Sequence, residues 1–186
     1  MLQTIVKISI KTKLFLLYHF LFYKHSDKTP FIKIGSKGKG IKNILFLLPY
    51  QRKIAQIVAH LIKKNITKKN YKIKYIVHEQ GLFYYDHIPE NQIITYDNDD
   101  LNYFGVIRKD QFINKLKDDS FGALVDLTNT YDQTLSVFSL KLNIPIKLGF
   151  DSPISDKLYT IIIKPNAEGF VEEHYTNIEK ILGLTE

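Results

Sequence analysis

Short continuous apolar runs alternate with amphipathic stretches from Asn43 to the end of the chain. Asn43–Leu48 (NILFLL) is almost wholly apolar, as a central parallel strand covered on both faces must be. Residues 51–65 carry apolar side chains at Ile54, Ile57, Val58, Leu61 and Ile62, a spacing that predicts a helix with one buried face. Further strands are predicted at Tyr71–His78, Gln92–Tyr96, Phe121–Leu127, Ile146–Phe150 and Leu158–Ile163. Further helices are predicted at 108–118, with Phe112, Ile113 and Leu116 inward, at 131–142, and at 170–183, where Gly183 suits a helix end. Strands alternating with helices argue for crossover units. The expected fold is a single α/β, Rossmann-like domain over 43–186, with a mostly parallel sheet of five to six strands flanked by helices.

Residues 1–42 read differently, as a basic amphipathic segment and a linker. The longest apolar stretch, Leu14–Tyr23 (LFLLYHFLFY), is about half the roughly 20 residues that a bilayer span needs. It runs into KHSDKTP, which does not resemble a signal-peptide cleavage site. A helix packed on the domain or lying on a membrane surface fits this stretch. SDKTP and GSKGKG (35–40) have the composition of turns and a flexible linker. The glycines precede the first strand and lack the closing Lys-Ser/Thr of a phosphate loop.

Charge follows the same boundary. The formal net charge is +7, yet residues 1–43 hold nine lysines (Lys7, Lys11, Lys13, Lys24, Lys28, Lys33, Lys37, Lys39, Lys42) and a single acid, Asp27. The remainder is close to neutral. A basic segment attracts anionic surfaces, whether phospholipid headgroups or nucleic acid. No helix-turn-helix, RNA-recognition or zinc motif accompanies it, so nucleic acid is the weaker of these expectations. The absence of cysteine excludes disulfides, thiolate metal sites and cysteine nucleophiles.

Ligands of open parallel sheets bind beyond the carboxyl ends of the strands. Here those ends supply the candidate residues. Asp126 closes an apolar strand and is followed by Thr128 and Asn129; it suits either a base that orients a substrate hydroxyl or the cap of the helix near Tyr131. His78 and Glu79 form a candidate acid–base pair. Arg52, Asn129 and Asp151 are candidate ligand contacts. The Asn-Tyr-Phe-Gly turn offers Tyr103 and Phe104 either to stack on a sugar or to plug the core, with Gly105 in a conformation other residues resist. The six histidines show no metal-ligand spacing, and Asp97-Asn98-Asp99-Asp100 reads as an acidic turn. Neither a metal nor a cofactor is expected, and nothing fixes the oligomeric state.

Two resemblances extend this reading. FGALVDLTNTYDQTLSVFSLKLNIPIKLGFD, together with LYTIIIK, EEHYTNIEKILGL and the opening NILFLL, resembles the N-terminal, acceptor-side half of family 9 glycosyltransferases, the ADP-heptose heptosyltransferases of lipopolysaccharide synthesis. DDLNYFGVIRKDQFINKL followed by ALVDLTN and KLGF is similar to a group of short Bacteroidetes proteins with a basic N-terminal segment and an Asp-Leu-Asn-(Trp/Tyr)-Phe-Gly motif; that match implies an architecture and no activity.

The glycosyltransferase resemblance implies a glycine-rich loop with a catalytic aspartate after the first strand, and a second domain that binds the nucleotide sugar. This sequence has Pro49-Tyr50-Gln51-Arg52 at the loop and ends at Glu186. The expectation is a non-catalytic relative of an acceptor domain, cytoplasmic and peripheral to the inner membrane, binding a glycan, an anionic membrane through residues 1–42, or a partner protein. The alternative is an active transferase subunit or other small-ligand enzyme using Asp126, His78 and Glu79.

Overall fold

The computed structural model of the chain describes residues 8–22, 41–65, 71–108, 112, 115–116, 120–129, 131–164, 171–182 and 184. The linker motifs at 26–40, the inward Ile113 and the helix stop at Gly183 lie outside the described residues.

Six strands form one sheet, all parallel: β1 (Asn43–Leu47), β2 (Lys72–His78), β3 (Ile93–Tyr96), β4 (Ala123–Asp126), β5 (Ile146–Phe150) and β6 (Ile161–Ile163), in the order β3-β2-β1-β4-β5-β6. This is the Rossmann-like order, and it arises because the chain returns to the centre after β3 and then builds outward on the other side. β1 and β4 are its middle, which explains their apolar runs: four of the five β1 residues and all of β4, Asp126 included, are buried.

The two faces of the sheet carry separate cores. On one, Ile44, Phe46, Val125 and Leu148 meet helix α2 (Arg52–Asn65) through Ala55, Val58 and Ile62, and the C-terminal helix, Val171–Leu182, through Tyr175, Ile178 and Leu182. On the other, Leu45, Leu47, Ile76 and Leu124 meet Phe112, Leu116 and helix α3 (Gln133–Phe138). Strict alternation of side chains along each strand sends neighbours to opposite cores. Helix α1 (Ile10–Phe22) lies on the second core, to which it contributes Phe15 and Leu16.

Two expected elements changed. The helix predicted at 131–142 is α-helical only over α3 and ends in a 3-10 turn at Ser139–Lys141, where the Ser139 hydroxyl bonds the Ser136 carbonyl. The strand predicted at Leu158–Ile163 is shortened to β6. Its first residues belong to a short helix, α4 (Ser155–Leu158), and its exit: Leu158 is buried in the second core, and the Tyr159 amide still bonds the Ser155 carbonyl. The apolar pattern fits both conformations, and the packing of Leu158 decides. A 3-10 segment, Glu79–Tyr85, was not foreseen; the Tyr85 hydroxyl ties it to the Pro49 carbonyl at 2.7 Å.

Candidate functional site at the strand ends

Between β1 and β4 the strand order reverses, and the crevice beyond their carboxyl ends is where such folds place ligands. Asp126 stands there, paired in register with Leu47, and is fully buried. Its Oδ1 accepts from the Thr128 amide at 2.9 Å and the Thr128 hydroxyl at 2.5 Å; its Oδ2 accepts from the Ser136 hydroxyl at 2.9 Å and the Tyr159 hydroxyl at 2.5 Å. Four donors match the four lone-pair positions of a carboxylate. Burial pushes the carboxyl above its ordinary value, against these hydrogen bonds, which pull it down.

Capping of the following helix falls to another residue. Asp132 accepts from the Thr134 and Leu135 amides and is the N-cap of α3. Asp126 instead ties three elements together: the turn at Thr128, helix α3 through Ser136, and the stretch between α4 and β6 through Tyr159.

Beside Asp126 is a small cleft lined by Thr128, Asn129, Tyr131, Ser136, Ser152 and Tyr159, with Asp151 at its rim. Among the described residues, the Asn129 Oδ1 and the Ser152 Oγ are buried there without a hydrogen-bond partner. The cavity volume is about 10 Å³, the size of a single water and far below that of a sugar. Asp151 is exposed and accepts from the Ser155 hydroxyl at 3.1 Å, which fastens the turn into α4.

The remaining candidates sit apart from this cleft. His78 ends β2, on the far side of β1 from Asp126, so their backbones are separated by two strand spacings, roughly 10 Å. Its Nδ1 accepts from the Gln80 amide at 3.1 Å and caps the 3-10 segment, which places the ring proton on Nε2. The ring stacks on Tyr50, 4.9 Å between centroids, and meets Tyr96 edge-on at 5.0 Å. Burial raises the phenols of both tyrosines above their ordinary value, and the Asp132 carboxylate adds to the effect. Glu79 is exposed, as is Arg52 at the start of α2.

Tyr103 and Phe104 part company. Phe104 packs against the second core, its ring 5.8 Å from that of Phe15, whereas Tyr103 is 81% exposed with the Lys11 ammonium 5.2 Å from its ring centroid. Gly105 has φ +74°, the left-handed conformation expected of it. Asn102 holds the turn by accepting from the Phe104 and Val106 amides. The acidic turn is a closed unit: Asp97 accepts from the Asp99 and Asp100 amides, and Asp100 accepts from the Asp97 amide.

The strand ends therefore bring together Asp126, Asn129 and Asp151 and leave His78, Glu79, Arg52 and Tyr103 outside. Sequence reasoning missed Ser136 and Tyr159, which complete the Asp126 site. Tyr159 was hidden in a run that reads as strand. Gly149 on β5 is the residue that betrays it, because a strand interior tolerates glycine where another group presses on the backbone. Comparison with known protein families, with curated proteins and with solved structures finds no match for the chain.

Proposed function

We propose that this chain is a non-catalytic relative of the acceptor-side half of a heptosyltransferase, working in the cytoplasm at the inner face of the cell envelope by binding a glycan or a partner protein. The observation that carries the reading is the condition of Asp126. Among the described residues it is the one carboxylate buried at the strand ends, and protein donors occupy all of its lone-pair positions. A general base needs a free lone pair within reach of a substrate proton. Two further features agree: the Pro49-Tyr50-Gln51-Arg52 loop has no carboxylate, and the Nδ1 of His78 is engaged by a backbone amide.

The test is turnover. The protein is incubated with an ADP-sugar and a lipopolysaccharide core oligosaccharide, and products are followed by mass spectrometry. Neither transfer nor hydrolysis is expected, while the oligosaccharide alone shifts backbone amide resonances of the domain if a glycan is the ligand. Turnover that disappears in a folded Asp126→Asn variant would overturn the reading in favour of an enzyme. Amide resonances unmoved by the oligosaccharide would leave a partner protein as the ligand.

A further inference from the structure

Helix α1 has two apolar faces. At about 100° per residue, Thr12, Phe15, Leu16 and His19 fall on one side, and these are its four buried residues. Ile10, Leu14, Leu17 and Leu21 fall on the opposite side. They are exposed, Ile10 by 76% and Leu21 by 69%, and Tyr18 widens the same face. A helix that only packs on a domain needs its inner stripe alone and turns polar residues outward. This one spends its outer face on large apolar side chains.

Charge identifies what that face suits. The helix contains no acid. Lys11 and Lys13 are exposed and fall on either flank of the outer apolar face, where their stems can lie along an apolar surface while the ammonium groups reach headgroups. The sequence on both sides continues the sign, with Lys7 before the helix and Lys24 and Lys28 after it. An apolar strip bordered by lysines matches the boundary between acyl chains and anionic headgroups. No helix among the described residues is long and apolar enough to cross a membrane.

We propose that α1 is a membrane-surface anchor: its inner stripe fixes it to the sheet domain, and its outer face inserts into the headgroup boundary of an anionic bilayer. This deepens the envelope location in the reading above, yet stands on α1 alone. It also joins two expectations that the sequence set against each other, packing on the domain and lying on a membrane.

The experiment uses the full chain and vesicles of equal parts phosphatidylglycerol and phosphatidylcholine, with phosphatidylcholine vesicles as control. Co-sedimentation with the anionic vesicles is expected, at least tenfold weaker on the control and in high salt, and unaffected by excess duplex DNA. The variant Leu17→Asp/Leu21→Asp should keep the circular dichroism of the native chain and lose the vesicles. No sedimentation, equal binding to both vesicles, displacement by DNA, or a variant that still binds would each overturn the anchor. So would a dimer in solution that ignores vesicles and dissociates in the variant, which would assign the face to a second copy. The assay contains no glycan and reads no turnover, so its failure leaves the non-catalytic reading standing.

Discussion

The ring of Tyr159 lies directly over Gly149: a Cβ at Gly149 would stand 2.5 Å from its Cζ and within 2.7 Å of both Cε atoms. The bare backbone of β5 is what lets the tyrosine lie flat and deliver its hydroxyl to Asp126. Gly149→Ala must expel the ring and break that bond. A cost of about 1–3 kcal/mol is expected from the overpacking. On a Tyr159→Ala background the same change should cost less than half as much, because the two residues couple only through this contact. Urea denaturation of the four proteins measures the coupling; additive costs would refute it.

Asp126→Asn replaces a four-fold acceptor by a side chain with one oxygen and two donors, so it leaves buried hydroxyls and the Thr128 amide competing for one acceptor. It should destabilise the domain by about 2–3 kcal/mol near neutral pH. The pH dependence has a definite sign. Burial raises the folded carboxyl above its unfolded value. Its contribution to stability is therefore fully present below the unfolded value and is lost as pH rises through the folded one. The asparagine variant lacks this dependence, so the gap between the two proteins should widen on acidification. A gap that stays level or narrows would contradict the assignment.

Lys147 on β5 is held down to about 8 by burial. A lysine whose folded value lies below its ordinary one contributes stability above that ordinary value and loses it as pH falls through about 8. Lys147→Met removes the poorly solvated charge and should stabilise the chain at neutral pH by on the order of 1 kcal/mol. The advantage should shrink as pH is raised past 8 towards the ordinary lysine range. Chemical denaturation across that range reads both effects.

Gly105 separates conformation from space. Its φ is +74°, yet the nearest atom to an added Cβ is the Gln133 Nε2 at 3.9 Å. Alanine therefore fits sterically and meets only the left-handed backbone penalty, about 1–2 kcal/mol. Asparagine tolerates that conformation better, and Gly105→Asn should recover about half of the loss. Thermal unfolding of the two variants gives the order; equal destabilisation would mean that the turn tolerates no side chain at all.

Much of the fold was legible in the residues. The apolar run of β1 and the 3.6-residue spacing of α2 depend only on local geometry: a strand covered on both faces must be apolar at successive positions, and a helix covered on one face must repeat its apolar positions. Counting such segments was enough to reach a parallel sheet with crossovers. Where a run satisfies two conformations, as at Leu158–Ile163, local pattern could not choose. The burial of Leu158 and the demand of Asp126 for the Tyr159 hydroxyl settled it.

The site was legible only as a set of candidates. Sequence placed Asp126, Asn129 and Asp151 at strand ends because topology puts ligands there. It could not assign Asp126 a role, since that depends on donors arriving from Ser136, ten residues on, and Tyr159, 33 residues on. It likewise showed that α1 is apolar and basic, and left packing and membrane as rivals. By itself the sequence determined the alternation of strands and helices along the chain and the sign of the charge on the N-terminal segment, because these follow from local periodicity and composition. Only the tertiary structure decided which carboxylate lone pairs are taken and which face of α1 is left outside, because both depend on how distant segments meet.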